Sequence, residues 1–346
     1  MTLPIINRPR QLSPHQLTLA LDLPVDRGER IDASFLHRSF CASGLPLRNI
    51  KTAQPGDVPV FMRTDDTFAL TVSGRKFALP GGDEVVVGVP YGPKARLLIC
   101  WMTTEIWTGR TAGRWLEIGR IKPWLESIGI PSNTKSVSAT KDQLIRLAFS
   151  DFTFVLKTEG LDLFRGDRLI ESAAFEDGDL AHYSHGDLDK VRWLQGLEVT
   201  EKAFRRFSTD AIPVPTDRLA QISHNAMAID IFLYLCYRLP LIGRGDSELV
   251  TWRRLAAQFG SGGVALSKFR ETFTESIRAA LRAYPEANVA FDPGDAKCPG
   301  LVLRYSDPAE LRKAFVVKVP IIEPADSRKP RLRNRVPSAR EIPMAP

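Results

Sequence analysis

The stretch YGPKARLLICWMTTEIWTGR, residues 91–110, is apolar on almost every side of its central part and is flanked by charged residues. Pro93 suits a first helical turn and Gly109 suits a helix end, so the pattern predicts a helix from Pro93 to Trp107. A helix that is hydrophobic all round is buried on most faces. The apolar run is far shorter than the roughly 20 residues that span a bilayer. We therefore expect the central helix of a globular fold and no membrane segment.

The elements after this helix recur later in the chain. In the first copy the segments are a short strand WLEI, the helix KPWLESIG, the helix SATKDQLIRLAF and the alternating DFTFVL. In the second copy they are a buried helix from Asn225 to Arg238, a strand LVTW, the helix TWRRLAAQFG capped by Thr251, a helix from Leu266 to Tyr284, and the strands ANVAF and LVLRYS. Three helices, a short strand and a hairpin are typical of a winged helix, a relative of the helix-turn-helix.

The predicted fold class is α+β, with two tandem winged-helix domains. The predicted divisions are a loosely ordered, flexible arm over 1–65, a small β-sheet over 66–87, a first winged helix over 88–206, a second over 207–310, and a C-terminal extension with a basic tail over 311–346. Within the small sheet, TFALTV, KFAL and EVVVGV are expected to pair through a turn at Ser73 and Gly74.

The charge balance favours a polyanionic partner. The formal net charge is +7 and the isoelectric point is about 9.3. Residues 326–346 carry six basic residues against Asp326 and Glu341, so 6 − 2 = +4 of this charge lies in the tail. Such a tail could neutralise a few phosphates without reading sequence.

Enzyme motifs are missing from the sequence: it has no GxxxxGK[ST], GxGxxG, GxSxG or HExxH. The four cysteines form no CxxC pair, which favours a reducing cytoplasm over a disulfide framework or a zinc module. His182 and His185, and the acidic group Glu176, Asp177 and Asp179, are interpreted as parts of a solvated connection rather than as metal ligands. We expect no catalysis, no cofactor and no metal.

The longest helix of the second copy offers a DNA-binding face. Phe269, Phe273, Ile277, Leu281 and Tyr284 recur at helical spacing and should face the core. The opposite face is left to Lys268, Arg270, Thr272, Thr274, Arg278 and Arg282. Arginine binds guanine edges in a bidentate manner, and lysine and threonine suit phosphates. The residues expected to hold the DNA backbone are Arg253, Arg254 and Lys297.

The first copy has a sparser set of polar residues in or before its third helix: Lys135, Thr140, Lys141, Gln143 and Arg146. Lys141, Gln143 and Arg146 are its candidates for contact with DNA. Packing or dimerisation is the competing interpretation of this face.

Several blocks of the sequence resemble the plasmid-encoded RepA-type replication initiators. The blocks are PYGPKARLLICWMTTEIWTGR, LEIGRIKPWLESIGI and DQLIRL in the first copy, and IPVPTDRLAQISHNAMAIDIFLYLCYRLP, TWRRLAAQFG, KFRETFTESIRAALRAYPEANV and GLVLRYSDPA in the second. The resemblance runs from Tyr91 to Ala309, whereas FEDGDLAHYSHGDL departs from it. It implies a bacterial, cytoplasmic protein that binds repeated origin sequences, helps open the duplex, recruits the host initiator and helicase, and can repress its own promoter.

Other functions remain open at this point. A winged-helix transcription regulator would bind a promoter without supporting replication. A protein-interaction scaffold would use the same faces for protein partners, and homodimerisation would fit the first copy. A nuclease or ATPase would need divalent ions or nucleotide.

Overall fold

The structure is a computed structural model of the chain. It describes residues 30–31, 33–54, 56–64, 68–111, 113–127, 129–158, 161–209, 211–291, 299–312, 314–315 and 317–318. The first elements are β1 (Arg30–Ile31), β2 (Ala33–His37), α1 (Arg38–Ala42), β3 (Val60–Thr64), β4 (Phe68–Ser73), β5 (Arg75–Ala78) and β6 (Glu84–Val87).

The first copy of the predicted repeat follows. Its elements are α2 (Gly92–Trp107), β7 (Trp115–Glu117), α3 (Ile121–Ser127), α4 (Thr134–Phe149), β8 (Asp151–Thr158), β9 (Leu161–Arg168), β10 (Ile170–Ala174), α5 (Asp179–Ser184), β11 (Gly196–Val199) and α6 (Glu201–Thr209). The second part contains β12 (Ala211–Pro215), α7 (Thr216–Gln221), α8 (Ala226–Arg238), β13 (Ser247–Thr251), α9 (Trp252–Phe259), α10 (Leu266–Ala283), β14 (Val289–Ala290), β15 (Gly300–Arg304), α11 (Pro308–Arg312) and β16 (Val317–Lys318).

The two copies share one strand order. The first has a three-stranded antiparallel sheet in the order β7-β11-β10, and the second has the order β13-β15-β14. In each sheet the strand that follows the buried helix lies at one edge and the last strand lies in the centre. Three helices and this sheet make a winged helix. The predicted α+β fold with two tandem winged helices is confirmed.

The hairpin predicted from ANVAF and LVLRYS is present as β14 and β15, and β13 pairs with the other side of β15. Val289 lies opposite Leu303, and Val250 of β13 lies opposite Leu301. Gly300 begins the central strand at a φ of +147°, and a Cβ there would lie 2.1 Å from the carbonyl oxygen of Val250. Only glycine fits this close approach of two strands.

The small sheet predicted over 66–87 is wrong in its pairing. β4 pairs with β3 on one side and with β8 on the other, in the order β3-β4-β8-β9, while β5 has β6 as its only partner among the described strands. One residue, Gly74, separates β4 from β5. A hairpin needs a loop of at least two residues, so β4 and β5 cannot fold back on each other. The segment is therefore joined to the first winged helix through β8 and is not a separate unit.

The loosely ordered arm predicted over 1–65 is wrong for residues 33–64, and residues 1–29 lie outside the described part. β2 pairs antiparallel with β12 over five residues, from Ala33 opposite Pro215 to His37 opposite Ala211. Phe35, Leu36, Phe40 and Leu45 are buried. The proline and arginine residues around this segment favoured an irregular arm in the sequence analysis, and the five-residue strand β2 was therefore not predicted. The predicted boundary at 206/207 also falls inside α6.

The buried hydrophobic residues form one continuous cluster that includes both winged helices. Asp230 of α8 receives two hydrogen bonds of 2.6 Å from the guanidinium of Arg96 in α2, where both side chains are buried. Arg96 also donates to the carbonyl oxygens of Leu45, Pro46 and Gly92. The two central helices are thus joined by an ion pair whose donors are largely satisfied.

Arg63 of β3 ties the N-terminal segment to the second winged helix. It donates to the carbonyl oxygen of Gly44 at 3.0 Å and to that of Gly260 at 2.8 Å. Burial lowers the pKa of Arg63 to about 10, so the side chain stays charged at neutral pH. Gln258 adds a second link by donating to the carbonyl oxygen of Ala42 at 3.0 Å.

The C-terminal extension returns to the start of the described chain. Val317 of β16 lies opposite Ile31 of β1, and Lys318 lies opposite Arg30. The basic tail over 326–346 lies outside the described residues. Among the described helices, none is long and apolar enough to cross a bilayer.

Candidate nucleic-acid interface

α10 is fixed in the second winged helix by an aromatic cluster. Phe269 is 3% exposed, Phe273 and Ile277 are 0% exposed, and Tyr284 is also buried. Phe273 contacts the rings of Trp252, Phe259, Phe269 and Phe291 at centroid distances of 5.3 to 6.3 Å. The core face predicted from the spacing is confirmed, although Leu281 is only half-buried. A helix held in this way keeps its other face in one orientation.

The opposite face of α10 is polar and accessible. Its exposed residues are Ser267, Lys268, Arg270, Glu271, Thr272, Glu275, Arg278 and Arg282, and Thr274 is half-buried. The hydroxyls of Thr272 and Thr274 donate to the carbonyl oxygens one turn earlier, at 3.2 and 2.7 Å. Those hydroxyls still have lone pairs free to accept, so each can also receive a donor from a ligand.

Arg270 lies against Trp252. The guanidinium carbon is 4.9 Å from the centroid of the indole ring, a cation–π contact. Trp252 is itself 5% exposed and lies in the aromatic cluster. The contact limits the rotamers of a long side chain and leaves its charge at the surface. Sequence reasoning missed Trp252 because its partner lies 18 residues away on another helix.

Lys268 and Glu271 form an exposed ion pair one turn apart. The ammonium nitrogen of Lys268 lies 2.6 Å from the carboxylate of Glu271. The hydrogen bond between them raises the pKa of Lys268 and lowers the pKa of Glu271, so both are charged at neutral pH. An exposed pair of this kind adds little stability, and the lysine can exchange its partner for a phosphate.

Arg253 and Arg254 lie in the first turn of α9. Thr251 is the N-cap, and its hydroxyl accepts from the backbone nitrogen of Arg254 at 3.4 Å, as predicted for this helix start. Both arginines are exposed. Arg254 lies 3.6 Å from the carboxylate of Glu248, whereas Arg253 forms no ion pair within the described residues. Lys297, the third predicted backbone contact, lies outside those residues.

The charges of the two helices sum to a positive surface. α9 and α10 together contain six basic residues and two acidic ones, a balance of 6 − 2 = +4. The basic residues are Arg253, Arg254, Lys268, Arg270, Arg278 and Arg282. Apart from Lys297, the structure brings the predicted site residues of the second copy onto two helices of one helix-turn-helix.

The site residues predicted in the first copy are largely enclosed by the fold, so their contact with DNA stays a prediction. Lys141 is buried and donates to the carbonyl oxygen of Val191, and Gln143 is buried and accepts from the backbone nitrogen of Tyr91 at 2.7 Å. Arg146 pairs with Asp142 at 2.8 Å, with a side chain only 13% exposed. These polar groups hold α4 within the domain.

The physical reason is an insertion that covers α4. Residues 175–195, which we call the acidic cover, join β10 to β11 and therefore stand where a wing would be. Ser138 of α4 is hydrogen-bonded to Asp189 at 2.6 Å, and Tyr183 donates to Asp142 at 3.2 Å. The acidic cover has five acidic and two basic residues, a balance of 2 − 5 = −3. A negative wing repels phosphates, so this unit differs electrostatically from the second.

The acidic residues predicted to lie in a solvated connection are not all exposed: Asp177 is exposed, whereas Glu176 is half-buried. Asp179 is buried, and its carboxylate accepts from the backbone nitrogens of Glu176 and Arg192 at 3.3 and 3.1 Å. Across the described residues, no group of three or more histidine, cysteine or acidic side chains is placed to hold a metal ion.

Comparisons with known proteins add little to this geometry. No protein-family model matches the chain, and no curated protein matches it. The fold is similar to a crystal structure of selenomethionine derivatives of domains 2 and 3 of RctB, with 12% identity and a TM-score of 0.44 over 69% of this chain and 83% of that one. A second crystal structure of RctB domains 2-3 gives 12% identity and a TM-score of 0.43 over 79% and 99% of the two chains. Because both scores are below 0.5, the winged-helix assignment rests on the strand order of the two sheets.

Proposed function

We propose that this chain is a replication initiator that binds repeated double-stranded DNA sequences at an origin through α9 and α10. The observation that carries the proposal is the orientation of α10, whose aromatic face is sealed in the core while a positively charged face lies at the surface. In a helix-turn-helix, the second helix reads base edges from the major groove and the first helix contacts the backbone. α10 and α9 would take these two roles.

The resemblance of the sequence to RepA-type initiators supports the finer part of the proposal. On that basis the protein binds repeats at its own origin, promotes opening of the duplex, and brings in the host initiator and helicase. Repression of its own promoter would use the same DNA-binding face. The role needs no catalytic residue, cofactor or metal, and it places the protein in the bacterial cytoplasm, with homodimerisation as a further expectation.

Two substitutions on α10 test the DNA-binding face. If Arg270 reads a guanine, Arg270→Ala should cost about 1–3 kcal/mol at the cognate site and relax one base position. If Lys268 contacts a phosphate, Lys268→Ala should weaken binding to all sequences and reduce the salt slope by about 1. Affinity measured against single-base variants at several salt concentrations separates the two effects. Unchanged affinity for both variants would exclude α10 from the interface.

A footprint on the DNA around the gene tests the initiator role. The expected result is an array of evenly spaced protected repeats, together with maintenance of a plasmid that carries this DNA in a host supplying the protein. A single protected promoter site without plasmid maintenance would favour a transcription regulator. Absence of salt-dependent DNA binding would favour a scaffold for protein partners.

A further inference from the structure

The residues of α10 that point directly away from the core are not all basic, although basic residues outnumber acidic ones on this helix. At about 100° per residue, the direction opposite Phe269, Phe273 and Ile277 is occupied by residues spaced four, three and four apart. We call these the outward stripe: Glu271, Glu275, Arg278 and Arg282, all exposed. Arg270 and Lys268 lie on the two flanks of this stripe. A helix that enters a groove with this orientation would place two glutamates among its central contacts.

The two glutamates differ in their surroundings. Glu271 already accepts a hydrogen bond from Lys268 at 2.6 Å. Glu275 forms no ion pair or hydrogen bond with any residue that the structure describes, although it lies on the same face one turn further along. The i, i+4 spacing of two carboxylates is itself unfavourable in a helix. Glu275 is therefore an exposed carboxylate, without a protein partner among the described residues, at the middle of a face that is otherwise suited to DNA.

A carboxylate in the major groove is repelled by the phosphates on both sides. The repulsion is offset when the carboxylate accepts from a base. The donors that bases present there are the exocyclic amines, N4 of cytosine and N6 of adenine, and glutamate pairs characteristically with cytosine N4. Lysine and arginine cannot accept from this group because they carry donors only.

We propose that Glu275 is a specificity-determining residue, which accepts a hydrogen bond from the N4 amine of a cytosine in the recognised DNA site. This inference rests on the proposed function, because it requires α10 to lie in the major groove. In this proposal one base of the site is recognised by Glu275, whose negative charge opposes nonspecific binding to DNA. Such a residue raises the ratio of specific to nonspecific affinity, since it penalises every sequence that lacks the cytosine.

The test compares Glu275→Gln with Glu271→Gln in the full-length protein. Binding sites are first selected by the wild-type protein from a random duplex library, and affinities are then measured for every single-base variant. Wild type should require cytosine at one position. Glu275→Gln should lose about tenfold or more at that site and shift its preference there toward adenine, because glutamine pairs with adenine N6 and N7.

Glu271→Gln is the matched control, since it removes the same charge one turn away. It should retain the cytosine preference. Because both side chains are exposed, both variants should keep the wild-type unfolding temperature. A uniform rise in affinity of Glu275→Gln for all sequences would overturn the inference, since it would show a carboxylate that only repels DNA. Loss of the cytosine preference in Glu271→Gln alone would overturn it as well.

The outcome separates the inference from the function on which it rests. Failure of the wild-type protein to select any sequence would reject the proposed function. Selection of a defined site by wild type, with unchanged base preferences in Glu275→Gln, would reject only the role of Glu275.

Discussion

At the scale of the residue, Arg96 and Asp230 show how a buried ion pair can be accommodated. A buried charge is costly unless it is paired and its remaining donors are satisfied. Arg96 meets both conditions. Its Nε and Nη2 donate to Asp230, Nη2 also donates to the carbonyl oxygen of Leu45, and Nη1 donates to those of Pro46 and Gly92. A Cβ on Gly44 would lie 2.0 Å from the carboxylate of Asp230, so the chain must have glycine there to approach the pair.

Asp230→Asn tests this pair. The change keeps the shape of the side chain but leaves Arg96 charged and uncompensated, so the free energy of unfolding should fall by about 3–5 kcal/mol. Urea-induced unfolding followed by circular dichroism measures the loss. The double variant Arg96→Met with Asp230→Leu should recover much of it, because an apolar pair avoids the buried charge. A loss of less than about 1 kcal/mol in the single variant would contradict the assigned role.

At the scale of the element, α4 and α10 occupy equivalent places in two winged helices and differ in what lies over them. α10 exposes its polar face, whereas α4 is covered by residues 175–195. The difference is carried by Ser138, Lys141 and Asp142, each of which has a partner in the acidic cover. The two winged helices therefore share a strand order but have unequal surfaces.

Substitution of Lys141 in α4 and of Lys268 in α10 tests whether the two helices differ in their contribution to DNA binding. Lys141→Met should leave DNA affinity and its salt dependence unchanged, but lower the unfolding free energy by about 1 kcal/mol through the lost hydrogen bond. Lys268→Met should keep the stability and reduce the slope of log affinity against log salt by about 0.9. Salt titrations and urea unfolding of both variants provide the comparison. A reduced slope of log affinity against log salt for Lys141→Met would contradict this expectation and show that α4 contacts DNA.

The helices could be predicted from the sequence because their signals are local. The spacing of Phe269, Phe273 and Ile277 and the caps Asn225 and Thr251 specify where helices lie and which face is buried. The pairing of β4 with β8 joins residues about 80 positions apart. The acidic cover and α4 are also far apart in sequence, since the bonded residues Lys141 and Val191 are 50 positions apart. No local sequence pattern predicts such contacts. The sequence alone therefore could not show that Lys141, Gln143 and Arg146 are enclosed by the fold.

At the scale of the whole molecule, the winged helices share one core. The cluster of buried residues is continuous, and β2 and β12 join the N-terminal segment to the start of the second unit. Cys41, Cys100 and Cys236 lie in α1, α2 and α8 and are all buried. Burial raises the pKa of each thiol, which reduces the thiolate available for reaction.

Alkylation of these thiols in increasing urea tests whether the molecule unfolds as one unit. In native conditions all three should resist iodoacetamide, since they are both buried and protonated. In urea they should become reactive at a common midpoint, because a shared core unfolds cooperatively. Mass spectrometry of the cysteine peptides gives the three midpoints. Separate midpoints for Cys100 and Cys236 would show that the two winged helices unfold independently.

Arg63 has a practical consequence for dissecting this protein. Its guanidinium joins Gly44 to Gly260, at the turn from which α10 starts. A fragment trimmed to residues 207–310 would retain every side chain of the basic surface but lose Arg63 and its hydrogen bond to the loop between α9 and α10. The isolated second winged helix is therefore expected to hold its α9–α10 loop less firmly than the whole chain does.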